Sequence, residues 1–268
     1  MANIYQAAAS AVERGEAVAL ATIVRVRGST PRGTGTKMLI RADGTAEGTI
    51  GGGELEARVL TAAREALCSG EPCLVSFSLH NTEVGDPGIC GGEADVFIDV
   101  LIPRPTLLIV GAGHVAVPVA ELGALLGFRT VVLDDRAEFA SEERFPRADE
   151  LIVGDIPTEL ARFPVNTQTH VVIVTRGHAH DEAALQAVLG WLAAYVGMIG
   201  SRRKVRTVFD NLRAAGASED ALARVRAPIG LDIGAETPEE IALSIMAEIV
   251  MLRRGGRGEP LKLNGERG

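Results

Sequence analysis

The chain has 268 residues, enough for one or two domains with a substantial core. Hydrophobic residues make up 47% and aromatics only 4%, the profile of an aliphatic, layered α/β protein. A formal charge of −8 and a pI near 5.3 argue against a general nucleic-acid binder, which needs a basic face, but leave room for a local basic site for an anionic small molecule.

The start, Met1-Ala-Asn-Ile-Tyr-Gln6, has neither a basic region nor a long apolar core, so no signal peptide is expected, and no apolar run reaches transmembrane length. Cys68, Cys73 and Cys90 are an odd number of cysteines and read as reduced thiols of a cytoplasmic protein, not a disulfide framework.

Apolar positions at helical spacing predict a helix over Ile4–Arg14, stopped by Gly15. A β-rich run, Ala17–Val26, leads into the turn-rich loop Gly28-Ser-Thr-Pro-Arg-Gly-Thr-Gly35. Next, Lys37–Arg41 and Thr45–Ile50 flank Asp43-Gly44, a strong hairpin signal. Gly51, Gly52 and Gly53 open a helix whose apolar face carries Leu55, Val59, Leu60, Ala63 and Leu67. Free N–H groups there would make an anion nest, although Glu54 and Glu56 put negative charge beside it; a sharp strand-to-helix corner is the alternative. Pro72–Leu79 is a strand, 80–92 a polar loop ending in Cys90-Gly91-Gly92, and Ala94–Ile102 an alternating strand. Pro103-Arg-Pro105 makes a stiff joint. Residues 1–103 are therefore read as an N-terminal α+β domain.

The second domain, 104–255, opens on the stretch around which the rest is organised, Thr106-Leu-Leu-Ile-Val-Gly-Ala-Gly-His-Val-Ala116. A short apolar run suits a parallel strand buried on both faces. Gly111 permits the tight turn, Gly113 lets a phosphate approach, and Ala116 lets the following helix pack closely. A second apolar run ends in Asp134 and Asp135 about twenty residues on, where a ribose-binding carboxylate belongs. Together these predict a Rossmann-like parallel sheet with a pyrophosphate at the helix N-terminus; the same fold without a nucleotide is the alternative.

Further strands are expected at Glu150–Gly154, Thr169–Thr175 and Tyr195–Gly200, and helices at Pro157–Phe163, Ala183–Leu192 and from Ser201. An irregular crossover or short helix is expected over Arg136–Arg147. Thr237, Pro238 and Glu240 predict a capping box on a last helix ending near Arg253, followed by a flexible tail, 256–268.

Candidate sites cluster at the strand ends. His114 lies inside the glycine turn and can reach a phosphate or a substrate. His178, His180 and Asp181 follow the fourth strand and suit either ligand contact and proton exchange or a metal; ligand contact is favoured, and no metal is assigned. Ser201, Arg202, Arg203 and Lys204 put cations at a helix N-terminus, against its dipole, which suits an anion partner or a solvated face. Cys90, flanked by glycines, is the one thiol singled out, while His80 and His170 read as structural. No catalytic residue is assigned.

These motifs, taken in order, resemble the XdhC/CoxI family of accessory factors for xanthine dehydrogenase and related molybdenum hydroxylases. The likeness rests on Gly28-Ser-Thr-Pro-Arg32, Gly48-Thr-Ile-Gly-Gly-Gly-Glu-Leu-Glu56 and Cys90-Gly-Gly-Glu93 in the first domain. In the second it rests on Val110–Ala116, Asp134-Asp-Arg136, the set Thr175, His178 and Asp181, Gly197-Met-Ile-Gly-Ser-Arg-Arg-Lys204 and Pro228–Ala235. The resemblance implies a non-catalytic maturation factor, and the aliphatic composition is compatible with a homodimer. Such a factor would bind molybdenum cofactor, as molybdopterin or its nucleotide form, present it for sulfuration and hand it to an apo hydroxylase. A cysteine desulfurase or a cofactor-synthesis protein would be a further partner, with no nucleic acid and no membrane involved. The implied contacts are Gly51, Gly52, Gly53, Cys90, Gly111, Gly113, His114, Asp134, His178, Ser201, Arg202 and Arg203. Many relatives carry Cys where this chain has Gly53, and some have His in place of Arg176, so Cys90 is left as the candidate sulfur contact. Two other readings stay open: an NAD(P)-dependent oxidoreductase using His178 or His114 as proton donor, and a ligandless docking scaffold.

Overall fold

The computed structural model describes residues 3–78 and 92–261; Cys90, His80 and the last part of the tail lie outside them. The chain forms two units, 1–103 and 104–268.

In the first unit, helix α1 (Ile4–Glu13) precedes strands β1 (Val18–Arg27), β2 (Lys37–Arg41) and β3 (Ala46–Gly48). Helix α2 (Gly53–Ser69), β4 (Cys73–Ser78) and β5 (Glu93–Leu101) follow. The strands make one antiparallel sheet in the order β3-β2-β1-β5-β4. Alternation along β1 sorts the core. Ala19, Ala21 and Ile23 pack under α2 with Val96 and Ile98 of β5, while Val18 and Leu20 pack under α1 with Leu39. Asp43 Oδ1 closes the predicted hairpin turn by accepting from the N–H of Thr45 at 2.8 Å. Cys68, expected on a partly apolar face, is exposed, and burial pushes the half-buried Cys73 thiol up, with the Glu65 charge adding to it.

The second unit contains β6 (Thr106–Val110), α3 (Ala116–Leu125), β7 (Arg129–Asp134), β8 (Glu150–Val153) and α4 (Ile156–Arg162). It continues with β9 (Thr169–Ile173), α5 (His178–Val188), β10 (Tyr195–Met198), α6 (Arg202–Ala214), α7 (Glu219–Ala223) and α8 (Pro238–Arg254). All five strands are parallel, in the order β10-β9-β6-β7-β8, the doubly wound arrangement with its switch point between β6 and β9. β6 is buried throughout because both its faces are covered. Leu107 and Ile109 pack with α3 and α8, and Leu108 and Val110 with α4, α5 and α6.

The capping box at Thr237 and Glu240 is present as expected. Arg136–Arg147 forms turns, the irregular crossover that was one of its two expected forms, whereas α5 begins at His178, five residues before the predicted Ala183. No helix among the described residues is long and apolar enough to cross a membrane.

Candidate functional site

Three motifs of the first unit meet at one place. Gly92, at the near end of the segment that carries Cys90, is packed so tightly that a Cβ would overlap the Ser29 carbonyl oxygen and stand 2.8 Å from that of Arg27. A Cβ on Gly51 would stand 3.2 Å from Pro31 Cβ. The Gly28–Arg32 loop therefore lies against both the glycine run and Gly92. Within that run Gly51, Gly52 and Gly53 all have positive φ, and added Cβ atoms on Gly52 and Gly53 meet nothing within 4 Å, so this backbone is open from outside.

Its inner donors are already answered. Glu56 accepts from the Ile50 and Gly52 N–H groups at 3.1 and 2.9 Å and from the Thr49 hydroxyl. Burial raises the Glu56 pKa, but these hydrogen bonds outweigh it and hold the carboxyl below its ordinary value. The acid expected to oppose an anion nest thus occupies the nest's inner side, which leaves only the outer faces of Gly52 and Gly53 for a ligand.

In the second unit the C-terminal ends of β6, β9 and β10 line one edge of the sheet. Gly111, at φ 102°, makes the turn after β6; a Cβ there would stand 2.7 Å from Thr175 Cα and from the Val174 carbonyl oxygen, so only glycine fits between the two strand ends. A Cβ on Gly113 would touch only the Val174 carbonyl oxygen, at 4.0 Å, and His114 is exposed beside it. Helix α3 has no side-chain cap, so the N–H groups of Ala116 and Val117 have no capping partner, and Pro118, its third residue, has no N–H. Arg144, which sequence reasoning passed over, holds the turn by donating to the Ala112 carbonyl at 2.7 Å and to that of Phe139 at 2.9 Å.

At the end of β7, Asp134 is 2% exposed. Its Oδ2 accepts from the Ala112 N–H at 2.7 Å and from Arg136 Nη2 at 3.0 Å. Its Oδ1 accepts from the Arg136 N–H at 3.0 Å and from Arg136 Nε at 2.8 Å. Burial pushes the Asp134 pKa up, yet the Arg136 guanidinium and the backbone donors win and bring it down to about 2. The neighbouring Asp135 receives Arg176 Nη2 at 2.8 Å.

The strand-end set from Thr175 to Asp181 divides. Asp181, grouped with the histidines as ligand-facing, is fully buried in the first turn of α5. It accepts from the Thr175 hydroxyl at 2.6 Å and forms an ion pair with Lys204. Lys204 therefore faces inward, apart from the exposed Arg202 and Arg203 with which it was grouped. His178 is exposed at the start of α5, and His180 lies 3.2 Å from Arg176 Nε. His170 is buried, with Nδ1 3.0 Å from the Gln168 carbonyl, and burial lowers its pKa.

Ser201 caps α6 by accepting the Lys204 N–H at 3.2 Å. Arg202 and Arg203 form no ion pair among the described residues. Gly200, Ser201 and Arg202 line a cleft of about 600 Å³ with the loop Pro228–Ala235. Buried Glu248 of α8 fixes that loop and the adjacent strand, accepting from the Gly230 N–H at 3.0 Å and from the Tyr195 hydroxyl. Burial, with help from Glu248, pushes the Tyr195 pKa far up.

Residues 107–249 match the model of the XdhC Rossmann domain, and residues 11–78 that of the XdhC and CoxI family. Over 96% of this chain, uncharacterized protein YqeB of Escherichia coli K12 is 38% identical, and this chain spans 47% of it, about half its length. The molybdenum cofactor insertion chaperone PaoD of the same organism is 24% identical, with 94% of this chain and 88% of PaoD covered. A solved xanthine dehydrogenase structure from Bacillus halodurans shares the fold at 24% identity, with 94% of this chain and 96% of that one covered and a TM-score of 0.52. The glycine turn, the parallel sheet that carries it and the two matching segments together place this chain in the XdhC and CoxI family.

Proposed function

We propose that this chain is a molybdenum cofactor maturation factor that holds the cofactor by its phosphate end and delivers it to an apo molybdenum hydroxylase. The observation that carries the reading is the sheet edge of the second unit. There the glycine turn and the uncapped helix α3 follow β6, and Arg202 and Arg203, which form no ion pair among the described residues, follow β10, with Arg202 lining a cleft of about 600 Å³. β6 and β10 are separated only by β9, so their C-terminal ends stand about 10 Å apart across the sheet, a span that one phosphorylated ligand can bridge. This donor set fits the phosphate of molybdopterin: backbone N–H groups and guanidinium forks both favour phosphate oxygens. The family and the name of the relative PaoD support the same ligand.

In this reading Gly111, Gly113, His114, Ser201, Arg202 and Arg203 bind, and His178 contributes a polar contact from α5. Asp134 acts through the turn, whose Ala112 N–H it holds. In the first unit Gly51, Gly52, Gly53 and the Cys90 thiol are proposed as cofactor contacts on sequence alone. When bound, the cofactor brings the molybdenum chemistry of the hydroxylase that receives it; this chain's part is binding, orientation and shielding from water. A cysteine desulfurase or cofactor-synthesis protein is the proposed donor-side partner, and a homodimer the proposed assembly.

The test is retention of molybdenum cofactor by the purified protein, beside titrations with NAD(H) and NADP(H). Stoichiometric retention that falls about tenfold or more in Arg202→Ala/Arg203→Ala supports the reading, since charge-assisted phosphate contacts carry that much. Tight nicotinamide binding with no cofactor retention overturns it in favour of an oxidoreductase. A Cys90→Ala protein that binds and transfers cofactor as wild type does would remove the thiol from the proposal.

A further inference from the structure

In a dinucleotide-binding Rossmann domain the acid at the end of the second strand reads the ribose by accepting its hydroxyls. Asp134 stands at that position. A carboxylate offers about four acceptor sites, and four protein donors already fill them: the N–H groups of Ala112 and Arg136, and Nε and Nη2 of Arg136. The residue is 2% exposed, so no face of it is left for a hydroxyl. The next acid, Asp135, is held by Arg176. Arg136 is itself locked by stacking, its guanidinium 3.6 Å from the centre of the Phe139 ring. At Asp134 a ribose diol therefore meets the Arg136 guanidinium in place of a free acceptor, while the exposed Asp135 keeps only Oδ2 hydrogen-bonded.

We infer that Arg136 closes the ribose-reading position, so that this crevice takes a phosphorylated ligand without a vicinal ribose diol. Among cofactor forms, that means molybdopterin over its dinucleotide. The choice of molybdopterin rests on the function proposed above, whereas the exclusion of diol nucleotides rests on Asp134 and Arg136 alone. Arg136 is here a specificity residue, acting through the acid it occupies.

The experiment is calorimetric titration of the full chain with ADP-ribose and NADH as diol probes, in wild type, Arg136→Ala and Arg136→Ala/Asp134→Asn. Wild type is expected to show no saturable binding below about 1 mM. Arg136→Ala, which uncovers the carboxylate, should gain about tenfold or more for ADP-ribose, and Asp134→Asn should cancel the gain. A folded Arg136→Ala with no gain overturns the inference. If that variant does not fold, wild type decides: saturable ADP-ribose binding that weakens when the ribose hydroxyls are removed overturns it, and binding that is absent or insensitive to them supports it. In parallel, wild type should retain molybdopterin in preference to its dinucleotide. Equal retention defeats the choice of cofactor form. Retention of neither defeats the maturation reading while the ADP-ribose result stands.

Discussion

Asp134 ties the glycine turn to the second strand by accepting the Ala112 N–H, takes three further hydrogen bonds from Arg136, and through its depressed pKa converts this set into stability. A folded value of about 2, against an ordinary 3.8, corresponds to about 2 kcal/mol. The contribution is fully present above about pH 4 and is lost as pH falls through about 2, because the unfolded chain takes up the proton first. Urea unfolding across this window should show the slope in wild type and lose its Asp134 component in Asp134→Asn; identical slopes would refute the assignment. The buried pair Asp181–Lys204 makes a stronger demand. Lys204→Met strands a buried carboxylate and should cost about 3–5 kcal/mol, whereas Lys204→Met/Asp181→Leu should recover a large part of it. A loss under about 1 kcal/mol in the single variant would mean that the pair is open to solvent.

At the scale of elements, the glycines of the first unit divide by what surrounds them. Gly92→Ala drives a methyl into the carbonyls of Arg27 and Ser29 and should lower the melting temperature sharply. Gly52→Ala, with open space around it, should cost only about 1 kcal/mol from its positive φ. Thermal unfolding of the two variants side by side checks the ranking. Elements with a strong local signal were legible in the chain itself. The Asp43-Gly44 hairpin, the continuous apolar β6 and the capping box at Thr237 each depend on neighbours a few residues away. The start of α5 was not legible, because His178-Ala-His180 carries no apolar period. What places Asp181 in a helical first turn is its bonds to Thr175 behind it and to Lys204 on another helix. The turns over Arg136–Arg147, one of the two forms expected there, are anchored to the glycine turn where Arg144 reaches back to Ala112.

For the molecule as a whole, each unit closes a core of its own on both faces of its sheet. The fragment 104–268 is therefore expected to unfold cooperatively by itself and to keep the acid dependence of Asp134; a non-cooperative melt would show that its core needs the first unit. The net charge of −8 repels anions at a distance, so the proposed phosphate site must rest on local cations.

The amino-acid order alone settled the two-part α/β organisation, the parallel strand with its glycine turn, and the family, because periodicity, turn chemistry and motif spacing are short-range properties of the chain. It also placed the acids, the cations and the glycines at strand and helix ends. Which of these groups remained available was decided by tertiary structure. Glu56 turned into its own glycine nest, Arg136 filled Asp134, and Lys204 was drawn inward to Asp181, leaving Arg202 and Arg203 outside. Each of these outcomes follows from one requirement: a carboxylate drawn partly or wholly out of water must find donors, and only the folded chain determines which donors lie within reach.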